Sequence, residues 1–124
     1  MLGVVKWGIL GLGKIAHKFA SDLILVEGCQ LTAVASSNLN RAGAFAKKFD
    51  VNRHYGSYEA LYNDNFIDII YVASLNSDHY KHVIEALKHG KSVLCEKPLA
   101  INQREVVEMI HYAQKHNVFL MEGL

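Results

Sequence analysis

Along this chain, short apolar runs alternate with stretches in which apolar residues recur every three or four positions. The runs at residues 7–10, 31–35, 67–73, 92–95 and 119–121 have the length of strands covered on both faces. Between them, Ile15, Ala16, Phe19, Ala20 and Leu23 fall on one helical face, as do Ala42, Phe45, Ala46 and Phe49 within a helix over 40–49. Asn38 or Asn40 caps that second helix, and Lys47 and Lys48 sit in its last turn, where the helix dipole favours cations. His54-Tyr55 is at most a short edge strand, and a brief helix over 57–62 is stopped by Asn63-Asp64-Asn65. A helix over 78–89 buries Val83, Ala86 and Leu87 and ends at Gly90, and a last helix over 102–116 opens on Asn102 with Glu105 three residues on, related to a capping box. Strand and helix alternate throughout. The pattern predicts an α/β fold, a Rossmann-type doubly wound parallel sheet with right-handed crossovers, in a single domain over residues 1–124.

In such sheets ligands bind at the carboxyl ends of the strands. That rule gathers four separated polar breaks onto one edge: Gly11 to Ala16, Ser36-Ser37-Asn38, Ser74 to His79, and Glu96-Lys97-Pro98. The first reads Gly11-x-Gly13-x-x-Ala16 between a strand and a helix. There the first glycine permits a tight turn, the second lets backbone approach a pyrophosphate, and the small third residue lets helix pack on strand. The free amides of Lys14, Ile15 and Ala16 in the first helical turn then face the anion.

Composition narrows the partner. With 124 residues, 51% hydrophobic and 20% charged, and a net charge of +1, the chain can bury roughly two thirds of its unfolded surface without staples, and nothing in it suggests nucleic acid or an anionic membrane. Cys29 and Cys95 have no ligand spacing and read as buried thiols in a reducing compartment. No apolar run approaches the 18 or so residues of a membrane span, so cytoplasm is the expectation. His17, His54, His82, His89, His111 and His116 have no acid or cysteine at ligand spacing and read as surface groups, with no metal site expected.

The segment 90–100, Gly-Lys-Ser-Val-Leu-Cys-Glu-Lys-Pro-Leu-Ala, resembles the Glu-Lys-Pro signature of the glucose-fructose oxidoreductase / inositol dehydrogenase (Gfo/Idh/MocA) family. The glycine loop and Asn76-x-x-His79 extend the resemblance over essentially the whole chain. Residues 7–11 and 119–122 look like the dihydrodiol / D-xylose dehydrogenase branch of that family. The resemblance implies an NAD(P)-dependent oxidoreductase acting on a sugar, polyol or diol hydroxyl. It places Lys97 near the nicotinamide as the catalytic residue that bonds the substrate oxygen, has Pro98 fix the local turn, for which a cis bond is one means, and has Glu96 orient Lys97 or contact the ribose. It also puts Ser74, Asn76 and His79 at the cofactor or substrate edge.

Two departures from the family pattern matter. Leu75 stands where a proline is usual, and Ser36-Ser37-Asn38 stands where a carboxylate would bind a ribose 2′-hydroxyl. Without that acid a 2′-phosphate is better served, held by the serine hydroxyls, backbone amides and Arg41, so NADP is expected, with NAD as the alternative. Family members also continue into a second α/β domain that supplies the substrate pocket, an acid/base and usually a dimer contact. The chain is therefore expected to be the nucleotide-binding half of such an enzyme, lacking that C-terminal domain, inactive alone and prone to self-association. A non-catalytic dinucleotide-binding sensor or regulatory module is the competing reading, and retention of Lys97 weighs against it.

Overall fold

The computed structural model describes residues 3–123. Six parallel strands form one sheet: β1 (Val5–Leu10), β2 (Cys29–Ala35), β3 (Arg53–Tyr55), β4 (Ile69–Val72), β5 (Ser92–Cys95) and β6 (Leu120–Glu122), in the order β3-β2-β1-β4-β5-β6. This is the Rossmann order, whose reversal of winding lies between β1 and β4. One face is covered by α1 (Lys14–Leu23) and α2 (Leu39–Phe49), through a core of Ile9, Ala16, Ala20, Val34, Phe45 and Tyr71. The other carries α3 (Tyr58–Tyr62), α4 (His79–Lys88) and α5 (Gln103–Lys115), through a core in which Leu87 and Met109 of the helices meet Leu10, Ile70, Val72 and Val93 of the sheet.

Most elements fall where the apolar rhythm puts them, and the differences have simple causes. β1 and β2 begin earlier, because Val5 pairs with Cys29 and Lys6 with Gln30, extending the ladder onto a polar rim that apolar content cannot mark. Cys29 is accordingly half-buried rather than buried, while Cys95 is buried and its thiol is pushed up to about 12 by that burial. Ile67 and Asp68 lie outside β4. Asp68 instead takes the Lys6 amide on its carboxylate at 2.9 Å and donates its own amide to the Lys6 carbonyl at 2.8 Å. Phe49 is only partly buried and Ile15 is exposed, each at the margin of its helical stripe.

Of the two caps open for α2, Asn38 is the one used, accepting the Arg41 amide at 3.0 Å. Asn102 likewise accepts the Glu105 amide at 3.0 Å, while the Glu105 carboxylate takes the Ile101 amide at 3.2 Å. A polar staple closes the far side of the fold. Lys91 is 6% exposed, and its ammonium donates to the carbonyls of Asp64 (2.6 Å) and Ile67 (2.9 Å). Lys91→Met keeps the stem but orphans the Ile67 carbonyl and leaves that of Asp64 with only the Ile67 amide, so we expect a loss of about 2–3 kcal/mol in unfolding free energy, measured by urea denaturation. A change below about 0.5 kcal/mol would mean that the staple does not hold the loop.

Candidate dinucleotide site

Because all strands run the same way, their carboxyl ends open on one edge, and a cleft of about 540 Å³ lies there. Gly11 and Gly13 form its floor after β1. Ser36, Ser37 and Arg41 stand on the β2 side, and Ser74 and Leu75 on the β4 side.

The two glycines serve different needs. Gly11 has φ +90°, and a Cβ there would lie 2.8 Å from the Ser74 amide nitrogen and 2.9 Å from its Cα, so the turn closes backbone against backbone. The Gly11 amide donates to the Ala35 carbonyl and the Ala73 amide to the Leu10 carbonyl, which locks the three strand ends together. Gly13 has ordinary φ, and a Cβ there would meet nothing within 4 Å. That open space lies at the start of α1, whose N-terminus has no side-chain cap and no acid in its first turn. Lys14 and Ile15 are exposed at this end and Ala16 is fully buried against the sheet, as a small residue must be to bring the helix close. Uncapped amides, a positive dipole end and room for an anion fit a pyrophosphate.

On the β2 side, Ser36 is nearly buried and its hydroxyl accepts the Asn38 amide at 3.1 Å. With the Asn38 carboxamide oxygen bonded at the cap, Ser37 and Arg41 are the exposed polar groups of this wall. No carboxylate lies within 4 Å of the Arg41 guanidinium among the described residues.

On the β4 side His79, expected at the cofactor or substrate edge, is not among the residues lining the cleft: it is 1% exposed, with Nδ1 2.7 Å from the Pro98 carbonyl oxygen and Nε2 2.8 Å from that of Ser74. It ties the loop after β4 to the Glu-Lys-Pro loop from behind the cleft wall. Nor is His82 a surface group. It is buried, its Nδ1 is 2.7 Å from the Ser74 hydroxyl, and Tyr58 packs edge-on against it. Burial holds His82 below the ordinary histidine value, with Asp78 pulling the other way. Asn76 is exposed in a 3-10 turn (Asn76–Asp78) and does not line the cleft.

The fourth polar break lies after β5. Lys97 and Pro98 are exposed, and the bond between them is cis. Glu96 does not pair with Lys97. Its carboxylate accepts a hydrogen bond from the Tyr71 hydroxyl, and Tyr71 stacks on Phe19 with ring centroids 3.8 Å apart. Burial, with that bond, raises Tyr71 far above an ordinary phenol, so the hydroxyl keeps its proton and remains the donor. The Leu99 amide donates to Glu122 at 2.7 Å and the Gly123 amide to the Cys95 carbonyl, fixing the loop to β6.

Sequence reasoning missed Tyr58, Lys81 and His82 as cleft-lining residues. They come from α3 and the start of α4, and no motif spacing marks them. Among the described residues no group of His, Cys, Asp or Glu is placed to hold a metal ion, and no helix is long and apolar enough to cross a membrane.

A family model described as an oxidoreductase family with an NAD-binding Rossmann fold matches residues 5–124. Trans-1,2-dihydrobenzene-1,2-diol dehydrogenase of Xenopus tropicalis is 44% identical over 120 residues, covering 95% of this chain and 36% of the relative, and its Mus musculus counterpart is 42% identical over 122 residues, covering 97% and 37%. Among solved structures, a 3-ketoreductase from Actinomadura kijaniata in complex with TDP-benzene and NADP superposes with a TM-score of 0.93 at 28% identity, over 97% of this chain and 38% of that one. An NAD-binding oxidoreductase from Klebsiella pneumoniae gives 0.91 at 29% identity, over 98% and 34%. The chain thus spans about a third of the length of these relatives. With its sheet order, glycine loop and Glu-Lys-Pro segment all in place, it belongs to the Gfo/Idh/MocA family of oxidoreductases and carries that family's NAD-binding Rossmann fold.

Proposed function

We propose that the chain binds NADP and presents it for hydride exchange with a hydroxyl-bearing carbon of a sugar or diol, as the nucleotide-binding part of a dehydrogenase. The observation that carries this reading is the cleft itself: an uncapped helix end and an open Gly13 at one wall, and Ser37 and Arg41, with no acid beside them, at the other. The similarity to diol dehydrogenases and to an NADP-bound ketoreductase supports the choice of cofactor and substrate class.

Bound with its pyrophosphate on the α1 amides, the cofactor would supply the hydride acceptor or donor. Gly11, Gly13 and the amides of Lys14, Ile15 and Ala16 hold the phosphates, and Ser36, Ser37 and Arg41 receive the adenosine ribose. Lys97 is the catalytic residue in this reading: its exposed ammonium bonds the substrate oxygen and steadies the charge that develops there as the hydroxyl proton leaves. Glu96 and Tyr71 hold the strand end from which Lys97 projects, and His79 holds Pro98 beside it. Ser74, steadied through both its carbonyl and its hydroxyl, shapes the cleft between the two ends.

The cofactor choice is tested at Ser37. Ser37→Asp sets a carboxylate where the 2′-phosphate would lie, so NADPH should weaken by about tenfold or more while NADH holds or improves, read by fluorescence titration of both. Unchanged NADPH affinity in that variant contradicts the assignment.

A further inference from the structure

The cofactor reading leaves one cation of the cleft without a role. Lys81, in the first turn of α4, lines the same cleft as Ser37 and Arg41 but from the opposite wall. It is exposed, and among the described residues no carboxylate lies within 4 Å of its ammonium, although Asp78 stands one turn earlier on that wall. The walls follow β2 and β4, which flank β1 on either side. Strands two steps apart are separated by about 9–10 Å, so a lysine and an arginine rooted above them can converge on one group held between. Two backbone donors of the β2 wall are also already spent, because the Asn38 amide donates to the Ser36 hydroxyl and the Arg41 amide to the Asn38 side-chain oxygen. A dianion set against Arg41 alone would keep half its charge unmatched.

We propose that Lys81 is the second cation of the 2′-phosphate site, closing on the phosphate from the α4 wall opposite Ser37 and Arg41, and is therefore a residue that determines preference for NADP over NAD. The proposal rests on the cofactor reading above. It differs from it in assigning part of the discrimination to α4, across the cleft from the β2 loop where such recognition is expected. A compact ammonium suits this place: it meets a phosphate as a point charge, while Arg41 can bond two of its oxygens.

The test compares NADPH and NADH binding to the unaltered chain, Lys81→Ala and Lys81→Arg, at low and high salt. Lys81→Ala should weaken NADPH by about tenfold and NADH by less than about twofold, flatten the salt dependence of NADPH binding, and be largely restored in Lys81→Arg. Equal losses for both cofactors, or no loss for either, would overturn the assignment of Lys81 while leaving the cofactor reading standing so long as the unaltered chain prefers NADPH. Failure of the unaltered chain to bind either cofactor would overturn both.

Discussion

Gly13→Val should abolish dinucleotide binding and leave the fold almost untouched. The backbone there has φ −87° and ψ −163°, an extended conformation open to a β-branched residue, and a Cβ added there would meet nothing within 4 Å. The new side chain would instead fill the space in front of the α1 amides. Charge-assisted bonds to those amides are worth roughly 1.5–3 kcal/mol each, so losing two of them lowers affinity by about 100-fold or more. Titration with NADPH measures the loss, and a melting temperature within about 2 °C of the parent shows that the fold survives. Undiminished binding would place the pyrophosphate elsewhere.

Gly11→Val should do the opposite in one respect, costing stability as well as binding. At φ +90° any side chain is strained, and its Cβ would press on the backbone of Ala73 and Ser74, which are fixed by the β1–β4 ladder and by His79. Backbone cannot step aside as a flexible side chain could, so we expect a loss of about 3 kcal/mol or more and a melting temperature lower by about 10 °C. Both glycines match one motif, yet only the second faces open space. A Gly11 variant with parental stability would contradict the close approach of β1 and β4.

That difference shows what the sequence can and cannot tell. The strands and helices were legible because burial imposes its own period: Val34, Ile70 and Val93 lie in continuous apolar runs, and Ala16, Ala20 and Leu23 share one stripe. The strand-end rule then brought Gly11, Ser37 and Ser74 to one edge, and the cleft contains all three, with the Arg41 expected at the 2′-phosphate beside them. Groups whose environment comes from distant chain were not legible. His79 and His82 sit in a polar-looking segment, but one is enclosed by the carbonyls of Ser74 and Pro98 and the other by Ser74 and Tyr58. Lys81 looks like any solvated lysine on a helix until α4 is set against the β2 loop. Glu96 could not be read either, since its partner Tyr71 lies 25 residues away and faces it only through the β4–β5 pairing.

Ile101, just after the Glu-Lys-Pro loop, Met121 on β6 and Phe119 at the amino end of β6 are exposed apolar groups. Lys97 itself has no ion-pair partner among the described residues, so in the role proposed for it the ammonium is free to bond a substrate oxygen.

Binding of the cofactor is the step on which the whole reading depends. Isothermal titration of the 124-residue chain with NADPH and with NADH at one ionic strength tests it directly. The account predicts a single saturable site for NADPH, tighter than for NADH by about tenfold or more. Equal or tighter binding of NADH would contradict the 2′-phosphate assignment, and absence of binding by either would contradict the dinucleotide site itself.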